Sequence, residues 1–336
     1  MAHLLLILIS LLGLSAHLKA DNEIIKPVLW SSSSGTPNEE LTLACNISEK
    51  QDASQLSWWK NDKRKGSGRY LKIKIRKPSD VGSYICKKND ELLSRTTVYF
   101  WKVDRNNNTV QPNLEQDNDS QNYLKCRAKN HSGMFTCFWK LKSFDSKYHL
   151  KFKITVIKGN IACEEPVEME PGKYSVSCTK NNSCPSTEEY IQTELSLEVF
   201  YGYLYEIYYR SFFIKDILQP DTSECEIDEH GILTWKPPTT WNTPHTYFPL
   251  TYEIKIVHNN RERLLCEHAA QLQHGGTLSC STSQFHSGKF YVRSRDRYKT
   301  NSFWSEWSDP CRFLKQSNKE NAKAEQCKCK RTEAGN

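Results

Sequence analysis

The sequence predicts an all-β protein built from sandwiches in series. Three observations carry this. Apolar and polar residues alternate in runs such as "LTLACNIS", "YFPLTYEIKIVHN" and "GKFYVRSRDRY", the period of a half-buried strand. Long helical periodicity is scarce. Cysteines and tryptophans recur at spacings that suit paired strands. At 336 residues the chain is long enough for two or three domains. Its 9 Trp, 16 Tyr and 13 Phe mark it as folded, because disordered chains lack aromatics.

Residues 1–20, "MAHLLLILISLLGLSAHLKA", read as a signal peptide. The apolar run Leu4–Leu14 is too short to span a bilayer, and small residues at Ser15, Ala16 and Ala20 place cleavage near Ala16–Ala20. No later run approaches the roughly 20 apolar residues of a membrane helix. The tail 316–336 is polar and basic, without the apolar end of a lipid-anchor signal. The expectation is a secreted, extracellular chain. Thirteen cysteines agree with an oxidising compartment. Asn-x-Ser/Thr triplets at Asn46, Asn107, Asn118, Asn130 and Asn181 read as glycosylation acceptors. The formal charge of +7 reads as spread among many acids and as aiding solubility. Heparin-like acidic glycans are compatible partners, and nucleic acid is not one outside the cell.

The first module, 21–105, is announced by "LTLACNIS", "QLSWWK" and "DVGSYICKK". Leu41, Leu43 and Cys45 alternate on one strand face. Trp58 or Trp59 follows, and then Asp80, Gly82, Tyr84 and Cys86. Tyr two residues before the second Cys is the tyrosine-corner position of an immunoglobulin-like sandwich, with Cys45–Cys86 bridging its sheets. The polar run 105–122 is a linker or long loop. The second module spans 106–219. Cys126 and Cys137 flank the turn "KNHSG" as a clipped hairpin, and Cys163 with Cys178 forms a second clip. "LQPDTSE" marks the next boundary. The third module, 220–315, holds spaced strands with turns between them, and Cys280 with Cys311 would tie two of those strands.

In the third module Tyr291, Arg293, Arg295 and Arg297 share one strand face, because side chains alternate with period two. Three arginines in a row repel unless something separates them. Trp304 and Trp307 of "FWSEWSDPC" can do so by stacking on guanidinium groups. The reading is an Arg–Trp ladder made by Arg293, Arg295, Trp304 and Trp307.

A Trp-Ser-x-Trp-Ser run after an alternating Arg strand resembles the signature of class I cytokine-receptor modules. Two such modules with a Pro hinge, the first carrying clipped cysteines, resemble a cytokine-binding homology region. This makes modules two and three fibronectin type III-like sandwiches by resemblance. With an immunoglobulin-like domain ahead, the chain is similar to the interleukin-6 receptor alpha ectodomain. It is more similar to the interleukin-12 beta-subunit family, receptor-like chains that serve as half of a cytokine. "CRAKNHSGMFTCFW", "KYSVSCTKNNSCPSTEE", "RSFFIKDILQP", "TWNTPHTYFPLTYE" and "RDRYKTNSFWSEWSDPC" carry the likeness, over about residues 21–313.

The resemblance implies a disulfide-linked heterodimer with a four-helix-bundle alpha subunit of the interleukin-12 or interleukin-23 type. It also implies engagement, through the immunoglobulin-like domain, of a receptor chain of the interleukin-12 receptor beta-1 type on T and NK cells. After the four pairings above, Cys184, Cys225, Cys266, Cys327 and Cys329 remain, and an odd cysteine in a secreted chain suggests a bond to another chain. The family's interchain position falls on Cys184. Pairing of Cys184 with Cys225 or Cys266, or of Cys225 with Cys266, stays open. By resemblance the partner-binding residues are Glu188, Tyr247, Asp296 and Tyr298, around a pocket that receives an arginine. One family loop tyrosine is His131 here. Asp296 could instead offset Arg295 and Arg297 on its own strand.

Nothing in the sequence points to an enzyme. It lacks His-Glu-x-x-His, Gly-x-Ser-x-Gly and a phosphate-binding glycine loop. His268 and His274 read as loop histidines, and Cys327 with Cys329 is too small a ligand set for a metal site. No cofactor and no metal are expected. Two further readings compete with the cytokine subunit. One is a soluble receptor alpha chain that presents a helical cytokine reversibly. The other is a glycan-binding matrix protein, supported by "HNNRER" and the basic tail.

Overall fold

A computed structural model describes residues 23–31, 38–48, 53–104, 106, 108–117, 121–143, 149–181, 183–184, 189–228, 231–270, 278–281, 287–299 and 301–314. Side chains are left undescribed at 31, 266–270, 278–281, 287 and 313–314. The signal segment, the tail with Cys327 and Cys329, His274, Glu188, Asn107 and Asn118 lie outside the described residues. So do the side chains of Cys266, His268 and Cys280.

The chain is all-β, an immunoglobulin-like sandwich followed by two fibronectin type III-like sandwiches, with only short 3-10 turns besides strands among the described residues. It divides into two compact units. The first takes Met1–Asn113, Asp145–Lys153 and Leu197–Tyr208; the second takes Leu114–Phe144, Ile154–Ser196 and Tyr209–Asn336.

The first unit begins with β1 (Glu23–Ser31), β2 (Glu39–Ala44), β3 (Leu56–Lys60), β4 (Lys63–Ser67), β5 (Tyr70–Ile75), β6 (Gly82–Lys88) and β7 (Glu91–Val103). β4, β3, β6 and β7 run in that order in one sheet, with β1 parallel on β7; β2 pairs with β5 in the other sheet. Asn61–Asp62 and Asn89–Asp90 turn the chain between β3 and β4 and between β6 and β7, all four at positive φ. Asn and Asp tolerate that conformation, which matches the twist of a two-residue hairpin. Cys45–Cys86 joins the sheets with Cα atoms 5.7 Å apart. Trp58, not Trp59, is the fully buried indole beside it, packed with Leu43, Leu56, Ile75 and Val98. The Tyr84 hydroxyl donates to the Asp80 carbonyl at 2.6 Å, closing the tyrosine corner.

The next strands are β8 (Lys125–Arg127), β9 (Met134–Lys140), β10 (Leu150–Lys158), β11 (Ile161–Cys163), β12 (Val167–Glu170), β13 (Lys173–Lys180), β14 (Thr193–Tyr201) and β15 (Leu204–Phe212). Within the first unit, Leu204 and Tyr205 of β15 lie beside Phe100 and Trp101 of β7. In the second unit, β11, β13, β9 and β8 form a sheet with β12 on β13. Cys126–Cys137 and Cys163–Cys178 each link residues directly opposite on neighbouring strands.

The second unit closes with β16 (Glu224–Ile227), β17 (Ile232–Lys236), β18 (Leu250–His258), β19 (Arg261–Ala270), β20 (Leu278–Ser281), β21 (Ser287–Asp296) and β22 (Cys311–Leu314). One sheet runs β16-β17-β20 and the other β19-β18-β21-β22. The expected Cys280–Cys311 bridge is corrected here: Cys311 is bonded to Cys225, with Cα atoms 6.1 Å apart. The reason is strand order. β16 and β22 are edge strands that meet, whereas Cys280 sits on β20, the opposite edge of the three-stranded sheet. Two strand spacings separate β20 from β16, about 9.5 Å, and a disulfide tolerates a Cα separation of no more than about 7 Å. The open pairings that used Cys225 fall with this.

Peptide mapping without reduction should recover the Cys225–Cys311 pair and no Cys280–Cys311 pair. Cys225→Ser should lower unfolding free energy by about 2–5 kcal/mol in urea melts. A melt unchanged from the parent would show that the bond is dispensable.

Candidate functional site

The site is built from the end of β21 outward. Past Phe290, β21 has no strand partner on its β22 side, and the segment 304–308 fills that edge. Ser305 N–H donates to the Ser294 carbonyl at 2.8 Å, and Ser294 N–H donates to Ser305 Oγ at 3.0 Å. Ser308 repeats the exchange with Val292, at 2.9 and 3.0 Å. Trp304 and Trp307 therefore lie over the outer face of β21. Arg293 sits 4.7 Å from the Trp304 ring and 4.5 Å from Trp307, and Arg295 sits 4.5 Å from Trp304. Each such stack is worth about 0.5–2 kcal/mol. Lys255 extends the ladder, 4.6 Å from Trp307 and 5.1 Å from Tyr291. Glu253 accepts two hydrogen bonds from Arg293, at 2.8 and 2.5 Å. Arg297 is exposed, beyond the end of β21. The outward alternation of Glu253 and Lys255 in "TYEIKI" was the available sequence signal for these two additions.

The same segment anchors the connection from the second module to the third. Phe303 N–H donates to the Leu218 carbonyl at 3.2 Å, and Gln219 Nε2 donates to the Trp304 carbonyl at 3.1 Å. Arg127 lies 3.5 Å over the Phe303 ring and donates to Gln219 Oε1.

Nearby, the hairpin loop between β8 and β9 docks on the loop 239–248. Asn130 is 6% exposed, and its Nδ2 donates to the carbonyls of Thr240 and Thr243 at 2.6 and 3.1 Å. This corrects the reading of Asn130 as a glycosylation acceptor: its amide nitrogen is enclosed and committed, leaving no room for a glycan. Asn46 and Asn181 are exposed. The next residue, His131, stacks on Phe248 with ring centroids 3.9 Å apart and stands edge-on to Trp241. Its Nε2 lies 3.0 Å from Oδ2 of Asp296.

Asp296, the last residue of β21, is 2% exposed. Its Oδ1 accepts the N–H groups of Tyr298 and Lys299 at 2.8 and 3.0 Å. A buried carboxylate needs such partners. Strand alternation sends Arg295 to the ladder and Asp296 to the other face, so the two do not form the neighbouring charge pair that the sequence left open. The carboxylate borders a cavity of about 160 Å³. Phe248 and His131 form one wall, and Tyr298, 70% exposed, stands edge-on to Phe248. Cys184 and Ser183 form another side, with Cys184 exposed. Glu189 completes it, ion-paired with Lys180 and accepting the Ile214 N–H.

Of the residues assigned to partner binding, Asp296 and Tyr298 line this cavity together with Cys184. Tyr247 is 59% exposed, beside Phe248 at 4.7 Å. Glu188 lies outside the described residues; its neighbour Glu189 lines the cavity. Sequence reasoning missed Glu189, Phe248, Lys215 and Lys299. At the rim Lys299 donates to Asp216 at 2.7 Å. Burial works against the Asp216 charge, but the Lys299 ammonium and the Phe213 N–H outweigh it and hold this carboxyl below the ordinary range.

Receptor-type sandwiches, a Trp-Ser-x-Trp-Ser clamp and a cation–tryptophan ladder define a class I cytokine-receptor-like chain. A family model described as "Cytokine interleukin-12p40 C-terminus" matches residues 121–201. Interleukin-12 subunit beta of Sigmodon hispidus is 31% identical over 308 residues, 83% of this chain and 88% of the relative. The Felis catus and Equus caballus proteins of that name are each 31% identical over 81% of this chain and 86% of their own. The chain belongs to the interleukin-12 subunit beta family, a family of cytokine subunits rather than enzymes.

Ser305→Ala removes the acceptor of a buried N–H and should lower unfolding free energy by about 1–3 kcal/mol in urea. A change near zero would mean that the clamp does not bear on stability. Asp216 gives a pH test. A carboxyl held low in the fold stabilises above its unfolded pKa of about 3.9, and that stabilisation fades as pH falls through the lower folded value. The urea midpoint of Asp216→Asn should therefore fall below the parent at pH 7 and converge on it in acid. A gap constant with pH would refute the Lys299–Asp216 contribution.

Proposed function

We propose that this chain is the secreted beta subunit of a heterodimeric cytokine, joined through Cys184 by a disulfide to a four-helix-bundle alpha subunit of the interleukin-12 or interleukin-23 type. One observation carries the reading. An exposed cysteine shares a cavity rim with a buried carboxylate and an exposed tyrosine on a cytokine-subunit chain. A helix laid across that rim can meet a covalent tether and a side-chain pocket together.

In this scheme an arginine of the helical partner enters between Tyr298 and Phe248 and approaches the Oδ2 side of Asp296. Aromatic walls and a fixed carboxylate suit a guanidinium, and Arg and Tyr dominate binding hot spots. Tyr247 extends the wall. His131 supports the pocket from behind by holding Asp296 and Phe248. The immunoglobulin-like domain engages a cell-surface chain of the interleukin-12 receptor beta-1 type, so the dimer drives immune signalling by T and NK cells. Four disulfides suit an oxidising, extracellular setting. Among the described residues no helix is long and apolar enough to cross a membrane. Among the described residues Asn46 and Asn181 are exposed sequons that would carry glycans; Asn107 and Asn118, outside them, are further acceptors by sequence.

Co-expression with the alpha subunit tests the scheme. Cys184→Ser should abolish the covalent heterodimer band on a non-reducing gel while both chains are still secreted. Tyr298→Ala should weaken the residual non-covalent complex by at least 1–2 kcal/mol, the cost of truncating a hot-spot residue. An unchanged covalent band would sink the Cys184 assignment. Reversible capture of a helical cytokine with no covalent partner would favour the presenting-receptor reading instead.

A further inference from the structure

We infer that Tyr190 is a modification site, whose phenolic oxygen takes a sulfate ester as the chain passes through the secretory pathway. Two independent observations carry this: the setting of the side chain and the charge of the sequence around it.

Tyr190 is 89% exposed, the most exposed large hydrophobic side chain among the described residues. It lies in the connection between β13 and β14, outside any strand. One group ties down the residues on either side of it. The Lys180 ammonium pairs with the Glu189 carboxylate and donates to the Ile191 carbonyl at 2.8 Å. Glu189 also accepts the Ile214 N–H. The chain is thus anchored immediately before and after Tyr190, while the ring between the anchors stands in solvent, open to an enzyme.

The surrounding sequence is acidic in a chain of net charge +7. Residues 181–209 hold five Glu, at 188, 189, 194, 198 and 206, and no Lys or Arg. Glu188 and Glu189 directly precede Tyr190. Other exposed tyrosines have different surroundings. Tyr70 follows Arg69, Tyr209 precedes Arg210, and Tyr298 stands between Arg297 and Lys299. Tyr247 has no acid within five residues. Tyr203 shares the acidic run but leans on Tyr99, with ring centroids 6.5 Å apart. These differences select Tyr190. An enzyme that holds an anionic sulfate donor needs a cationic active site, which attracts a tyrosine flanked by acids and repels one flanked by bases.

The transfer balances without oxidation or reduction. The Tyr190 oxygen attacks the sulfur of phosphoadenosine phosphosulfate, the donor. An oxygen–sulfur bond forms to the tyrosine, and the sulfur–oxygen bond to the donor's phosphate breaks. The electron pair leaves with that phosphate, and the phenol proton passes to a base of the transferring enzyme. The product is a fixed anion on an acidic stretch, of the kind that arginine-bearing protein surfaces recognise through charge-assisted hydrogen bonds. Modification in cells rests on the secretion proposed above; the reactivity of the site does not.

Two arms test it on the full-length chain. In the first, cells are fed radioactive sulfate and the chain is collected from the medium. N-glycans are removed before counting, because Asn181 is a nearby sequon. In the second, chain purified from chlorate-treated cells is incubated with a tyrosylprotein sulfotransferase and radioactive donor. Mass spectrometry of the peptide that contains Tyr190 locates the ester. In both arms the parent should take label, Tyr190→Phe should lose it, and Tyr70→Phe should keep it. Glu188→Gln should slow labelling in the purified reaction. Label retained by Tyr190→Phe, a secreted parent without label, a parent inert in the purified reaction, or a phosphatase-sensitive ester at Tyr190 would each overturn the proposal. A chain absent from the medium yet labelled in the purified reaction would count against the secreted-subunit reading and leave the site standing.

Discussion

Two serine hydroxyls hold the free edge of β21, and the second unit's site depends on that. A strand edge presents N–H and C=O groups that must be satisfied or hidden. Here Val292 and Ser294, two residues apart, are met by Ser308 and Ser305, three residues apart. The covering segment is not a strand. It supplies hydroxyl oxygens where a partner strand would supply carbonyls, and three of its residues keep step with two of the strand. That mismatch is the physical content of a Trp-Ser-x-Trp-Ser spacing. It brings each serine to the backbone and each tryptophan over the cations, so hydrophobic surface, charge repulsion and edge pairing are resolved by one short segment.

The consequence passes along the chain to the cavity. With β21 fixed, its last residue, Asp296, can be a buried carboxylate held by two backbone amides and His131. A charge in that position is costly unless every partner is in place. Asp296 therefore has two roles that one truncation cannot separate. Removing it would withdraw a negative charge from the cavity and would also leave His131 without its carboxylate, loosening the wall that Phe248 shares. Tyr298, mostly in solvent, can be truncated with less disturbance of the wall. His131 is reached in turn through Asn130, whose amide brackets the loop 239–248. The glycosylation triplet that contains Asn130 is thus spent on architecture, and the hydroxyl-bearing Ser132 donates its own N–H to Asn130 Oδ1 at 2.9 Å.

What could be read in advance was whatever short-range periodicity encodes. The Cys45, Trp58, Tyr84 and Cys86 pattern is local within strands, and the ladder follows from alternation along a single strand. Hairpin clips such as Cys126–Cys137 sit across one turn. What could not be read depended on which strands become neighbours in space. Cys225 and Cys311 are 86 residues apart, and the sequence around Cys280 is as strand-like as that around Cys225; only sheet order separates them. His131 and Asp296 are 165 residues apart, and neither carries a local sign of the other. Burial of Asn130 was equally silent, because a sequon looks the same on a surface and inside a bracket. The charge of residues 60–77 failed for a different reason. It was fully visible in the sequence, but a whole-chain total averages a concentrated stretch into a mild excess. Position along the chain, rather than the sum, shows that nine cations and one acid fall within residues 60–77, most of them in solvent.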